Sequence, residues 1–267
     1  MNITKGIKKI GSMLEGKEIY LGLDISTKTI GVCVLADDGT PHGNILELTH
    51  ITPRAPKNSE GIEELFIKKG IFEEFIYKYK DYGVDHVVIE EPLLLSNNAL
   101  TVSTLLRFNG MISDTIYRLL GVVPDYISSY DARKYAFPEL MSVRKYGKDE
   151  VQYPYGKIIE EIKHGRLVLF GSYPWTIDKK LVIQGKVAEF FPTIEWVRDS
   201  HGELKRQNFD ASDAYVAILG QLNLKKNGDL KFSVSNIKEQ SDGRHGRTVE
   251  YDVSYWNRKE HRTTYIA

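Results

Sequence analysis

Apolar residues along the chain fall first into short runs and then into longer periodic ones. Ile19 to Leu23, Ile30 to Leu35 and Ile45 to Ile51 are of strand length and rich in aliphatic side chains. The turn sequence Asp37-Asp-Gly-Thr-Pro41 separates the second run from the third, which predicts an antiparallel meander. The spacing then changes. Ile62, Leu65, Phe66, Phe72, Phe75, Ile76 and Tyr79 recur at intervals of three and four residues or their sums, with charges between them, as in an amphipathic helix packed on a sheet. A fourth strand, His86 to Ile89, ends on Glu90-Glu91-Pro92. A second helix is predicted from about Ala99 to Leu120, and a fifth strand from Val122 to Ile127. Helical crossovers return the chain in the same direction, so the later strands pair in parallel. The predicted fold is α/β: a mixed five-stranded sheet, antiparallel meander plus parallel βαβ units, flanked by helices.

Beyond this alternation the pattern breaks. Residues 135–175 are rich in aromatic side chains and in Arg and Lys, which marks an insertion. A helix from about Lys179 to Phe190 follows, then the polar loop Arg198 to Asn208, then a helix from Asp210 to about Leu222. In the tail, Val249, Tyr251, Val253 and Tyr255 alternate with polar residues, which predicts a small hairpin with Asp242-Gly-Arg-His-Gly246 in its turn region. The expected organisation is a leader over 1–15, a core made of 16–134 and 176–222, the insertion 135–175, and a β-rich extension over 223–267.

Composition narrows the function classes. The chain has 267 residues, 42% of them hydrophobic, enough for a substantial core. No run approaches the roughly 18 apolar residues of a membrane span and no secretory leader is visible, so a cytoplasmic protein without membrane contact is expected. One cysteine, Cys33, lies inside an apolar run and reads as a core residue rather than a nucleophile. Thirty-six basic residues balance 36 acidic ones, so affinity for a polyanion has to come from local charge.

The chemistry gathers on acids at the carboxyl ends of strands. Asp24 ends the first strand and Glu90 the fourth, and the predicted topology sets these strands side by side, where α/β sheets place their ligand crevice. Asp210 and Asp213 are three apart at a helix start, hence on one face. The pair also reads as a helix cap with a second acid near the positive end of the dipole. Four carboxylates brought together require a shared proton or divalent cations. An oxygen-only donor set suits Mg²⁺ or Mn²⁺, and two such ions about 3.5 to 4 Å apart suit phosphodiester hydrolysis.

The ordered set of Leu21-Gly-Leu-Asp24-Ile-Ser-Thr27, Val88-Ile-Glu90 and Asp210-Ala-Ser-Asp213-Ala resembles the RuvC-type Holliday junction resolvases of the RNase H-like superfamily. Asn97, Asn98, Phe108-Asn-Gly110 and Tyr130-Asp-Ala-Arg-Lys134 add to the likeness, which covers 16–134 and 176–222. The resemblance implies that Asp24, Glu90, Asp210 and Asp213 bind two Mg²⁺ ions, with Mn²⁺ as a substitute, and that Glu91 lies beside them. It implies a homodimer that nicks branched DNA in pairs to resolve four-way junctions, in a phage or mobile-element setting. A basic residue near the scissile phosphate is also implied, with Lys180 and Lys186 as candidates. Asn97, Asn98, Arg133 and Lys134 are expected to contact DNA, and Arg144 and Lys145 of the insertion to supply phosphate contacts. Three other readings share parts of this pattern. They are an RNase H-like nuclease acting on RNA–DNA hybrids or flaps, a binding protein that has lost catalysis, and an actin-like or sugar-kinase fold. The last would need a second Gly-rich phosphate loop, which the sequence lacks.

Overall fold

The computed structural model describes residues 16–92, 98–142, 168–169, 179–242 and 246–266. The leader, Asn97, Arg144, Lys145 and most of the 135–175 insertion lie outside these residues. The chain divides into two compact units, residues 1–132 with 180–221, and residues 133–179 with 222–267.

The first unit is built on a five-stranded sheet. Its strands are β1 (Glu18–Ile25), β2 (Ile30–Asp37), β3 (Asn44–Ile51), β4 (His86–Glu90) and β5 (Asp125–Ile127), in the spatial order β3-β2-β1-β4-β5. β1 pairs antiparallel with β2, and β2 with β3, while β1–β4 and β4–β5 are parallel. The mixed sheet read from the sequence is therefore the observed one. β5 is shorter than expected, because the chain leaving the preceding helix stays irregular through residue 124.

Both faces of the central strands are covered, which is why β1 and β2 read as nearly unbroken apolar runs. On one face Ile19, Leu21, Leu23 and Ile25 join Leu65, Phe72 and Ile76 of α1 (Gly61–Ile76) and Phe108, Ile112 and Ile116 of α2 (Ala99–Leu120) in one buried cluster. The turn between β2 and β3 is the expected one. Gly39 adopts φ +81°, and its N–H donates to Asp37 Oδ1 at 3.0 Å.

The opposite face is covered by α5 (Gln207–Asn227), the last of the helices that also include α3 (Ser129–Ala136) and α4 (Lys179–Phe190). Every residue of α5 from Ala211 to Gly220 is buried, and the helix lies on the glycines of the sheet. A Cβ at Gly22 would stand 2.2 Å from the Ala214 carbonyl oxygen, and one at Gly31 would stand 2.0 Å from that of Asp210. Only glycine at these two positions lets backbone approach backbone so closely. Cys33, the β2 partner of Gly22, is buried as expected, and burial pushes its thiol far above the ordinary range.

The second unit contains a three-stranded antiparallel sheet of β8 (Ser233–Asp242), β9 (Gly246–Tyr255) and β10 (Arg258–Ile266), besides the two-residue pair β6 (Met141–Ser142) and β7 (Val168–Leu169). Val249, Tyr251, Val253 and Tyr255 are all buried, as their alternation predicts. The tail is not a lone hairpin, however, because β10 adds a third strand after Trp256. Its inward positions carry an ion pair instead of apolar side chains: Arg262 Nη2 lies 2.9 Å from Glu260 Oε2 and donates to the Pro138 carbonyl at 3.0 Å. A strand stabilised in that way leaves no apolar alternation to read. Among the described residues no helix is long and apolar enough to cross a membrane.

Candidate active site

The site starts from a turn. Directly after β1, the Ser26 hydroxyl donates to the Thr29 carbonyl at 2.8 Å and accepts from the Thr29 N–H at 3.0 Å, closing a tight loop back into β2. Lys68 on α1, almost wholly buried, donates to the Thr27 carbonyl at 2.8 Å and pairs with Glu64. The loop is thus fixed by its own hydroxyl and by an ammonium from a helix 41 residues further on. Asp24 stands at the base of this loop.

Register places the other acids. Leu23 lies beside Ile89 in the parallel β1–β4 ladder, both facing the α1–α2 cluster, so the next residues, Asp24 and Glu90, take neighbouring positions on the α5 side. Asp24 is also the cross-strand partner of Gly31, over which the α5 backbone passes at Asp210. The glycine that admits the helix is therefore the residue that sets Asp210 against Asp24. α5 begins at Gln207, three residues earlier than expected, so Asp210 is not the cap but lies at the end of the first turn. Asp213 is 2% exposed, and a helix-capping role does not account for a buried acid one turn further in.

The charge that meets these acids is Lys180, the second residue of α4. Its Nζ lies 3.2 Å from Asp213 Oδ2 and 3.5 Å from Asp210 Oδ1. Burial works against this ammonium, but Asp213, Asp24 and Asp210 together hold its pKa above the ordinary lysine value. Asp210 is shifted upward by burial, with Lys180 opposing the shift and Asp213 adding to it. Its ionised form is thus held at a cost, which gives an expected result. Asp210→Asn removes that cost, so the variant melts higher than the parent at neutral pH. The gain fades as the pH falls through the carboxylate range, where the parent's Asp210 takes up its proton. Thermal melts of the two proteins at neutral and acid pH test this; a lower melting point at neutral pH would contradict it.

Sequence reasoning missed two neighbours of the site. His50 on β3 is the cross-strand partner of Gly31, so Asp24, Gly31 and His50 form a row on one face. Burial lowers the imidazole's pKa and the charge of Asp210 opposes the shift, which places His50 within electrostatic reach of α5. The other is Lys68, which a charged helix pattern disguises as a solvated residue. The described residues expected at the DNA have partners within the protein. Asn98 caps α2, accepting from the N–H groups of Leu100 and Thr101 at 3.1 and 3.2 Å. Lys186 pairs with Glu189 at 2.9 Å. Arg133 and Lys134 belong to the second unit, where Lys134 lies 3.7 Å from Asp229 and stacks over the Tyr135 ring.

The donor chemistry, carboxylate oxygen from four acids on three elements, fits a hard divalent cation. Among the described residues no three His, Cys, Asp or Glu side chains are gathered as a single ion would gather them. In this arrangement the positive charge between the two helix acids is the ammonium of Lys180.

No family model and no curated protein matches the chain. Solved structures similar to it include RuvC of Thermus thermophilus, 13% identical over 79% of this chain and 96% of that one, with a TM-score of 0.47. Another is T. thermophilus RuvC in complex with a Holliday junction substrate, 11% identical over 79% and 96%, also at 0.47. The yeast mitochondrial Holliday junction resolvase Ydc2 is 10% identical over 85% of this chain and 89% of that one, with a TM-score of 0.44.

Proposed function

We propose that the chain is a metal-dependent endonuclease that hydrolyses phosphodiester bonds of branched DNA, resolving four-way junctions by paired nicks as a homodimer. The observation that carries this reading is the ammonium of Lys180 held against Asp210 and Asp213 and within the charge of Asp24, on the α5 side of β1, with Glu90 at the adjoining strand end. A buried acid such as Asp213 is costly to desolvate, and a cluster of acids and an ammonium at strand ends marks a candidate functional site. The ordered motifs around Asp24, Glu90 and Asp210 supply the substrate class through their resemblance to junction resolvases.

In this reading Asp24, Glu90, Asp210 and Asp213 hold two Mg²⁺ ions, or Mn²⁺ in their place. When bound, such ions supply a water of lowered pKa and charge stabilisation at the leaving oxygen. The chain's own work is positional. β1 and β4 hold Asp24 and Glu90 on a rigid sheet, and the Ser26–Thr29 loop with Lys68 stops the strand end from fraying. Gly22 and Gly31 let α5 bring its two acids down to the same level. Lys180, held against Asp210 and Asp213, supplies an ammonium for an incoming phosphate.

The test of substrate class is a panel of a synthetic four-way junction, a flap, linear duplex and an RNA–DNA hybrid, each with Mg²⁺. Symmetric paired nicks confined to the junction are expected. Cleavage of the hybrid or flap in preference would keep the acidic site and reject the junction.

A further inference from the structure

Lys180 is in an unfavourable place by the standards of its own helix. Lys179 and Lys180 open α4 without an acid in its first turn, and cations at the positive end of a helix dipole are destabilising. What holds the ammonium there is tertiary: Asp213 at 3.2 Å, Asp210 at 3.5 Å, and the charge of Asp24. The Asp213 partner is almost fully desolvated, and an uncompensated acid there would be strongly destabilising. The ammonium thus neutralises part of the charge that a divalent cation would otherwise neutralise, and it draws on the same oxygens.

We propose that Lys180 is a resident counter-ion of the acidic site, competing with divalent cations for Asp210 and Asp213, so that metal loads only as the ammonium withdraws. The inference rests on the metal-nuclease reading above. It adds a regulatory property: the site is stable without metal and binds it weakly until Lys180 finds another anion. The phosphate backbone of a bound DNA strand is such an anion, so DNA and metal bind cooperatively.

The experiment is Mn²⁺ binding to DNA-free protein, followed by electron paramagnetic resonance and calorimetry, for the parent, Lys180→Gln, Lys180→Met and Lys180→Arg. Removing a cation this close to the ligand oxygens is expected to tighten Mn²⁺ binding by roughly ten- to a hundredfold in the Gln and Met variants. Lys180→Arg, which keeps the charge, stays near the parent affinity. Lys69→Gln, which removes an ammonium paired with Glu73 on α1, also leaves Mn²⁺ affinity unchanged. A second readout needs no variant: lysine acylation mapped by mass spectrometry should show Lys180 labelled several-fold faster once Mg²⁺ is added. Equal or weaker Mn²⁺ binding in folded Gln and Met variants, or unchanged labelling, overturns the counter-ion role while leaving the nuclease reading intact. Absence of Mn²⁺ binding in the parent and in every variant overturns the metal-nuclease reading itself.

Discussion

Asp24→Asn is expected to reduce junction cleavage by about three orders of magnitude or more, the equivalent of ~4 kcal/mol of transition-state stabilisation, while junction affinity stays within a few-fold of the parent. The amide keeps the size and shape of the side chain at the end of β1 and loses the charge that faces Asp210, Asp213 and Lys180. The strand beneath it has no reason to move, since its core contacts come from Leu21, Leu23 and Ile25 on the other face. Single-turnover cleavage and equilibrium binding on the same junction measure the two quantities separately. Parent-level cleavage by this variant would remove Asp24 from the chemistry. Loss of binding alongside cleavage would instead make it a structural residue.

Gly31→Ala is the second large effect, and it acts without touching a charge. A Cβ at this position meets the Asp210 carbonyl oxygen at 2.0 Å and the Ala211 nitrogen at 2.8 Å, both of them backbone atoms that no rotamer change can withdraw. α5 has to retreat by more than an ångström. Overpacking of this kind costs about 1–3 kcal/mol of stability, or roughly 2 to 12 °C in melting temperature. Cleavage suffers more than stability, because Asp210 and Asp213 travel with the helix, and a displacement of ~1 Å at a reacting centre is worth about 100-fold in rate. The check is cleavage measured well below the variant's own melting point. Parent rates in folded Gly31→Ala protein would show that the spacing between α5 and β1 does not matter to the site.

That glycine also shows where sequence reading stops. The strands were readable because β1 and β2 are buried on both faces and carry apolar residues at nearly every position. α2 is readable because one of its faces is apolar. Pairing of β1 with β4 follows from topology alone, and it sets Asp24 and Glu90 at neighbouring strand ends. The contacts that shape the site are different in kind. Gly22 and Gly31 look like ordinary strand glycines until a helix from the far end of the first unit's sequence is laid on them. Lys68 sits among Glu63, Glu64 and Lys69, where the charge pattern describes a solvated face, yet its ammonium is buried against a backbone carbonyl. His50 lies in a strand recognised by its aliphatic residues, and only the register β1–β2–β3 aligns it with Asp24. β10 was hidden because its inner face is satisfied by Glu260 and Arg262 rather than by apolar burial.

The central claim is that the acids of β1, β4 and α5 act as one metal-dependent hydrolytic site. It is tested most directly by cleavage of a synthetic four-way junction by the parent protein in Mg²⁺, in EDTA, and by Asp213→Asn in Mg²⁺. Paired nicks with the parent in Mg²⁺, and none in EDTA or with Asp213→Asn, is the predicted result. Equal cleavage in EDTA, or full activity of Asp213→Asn, would contradict it.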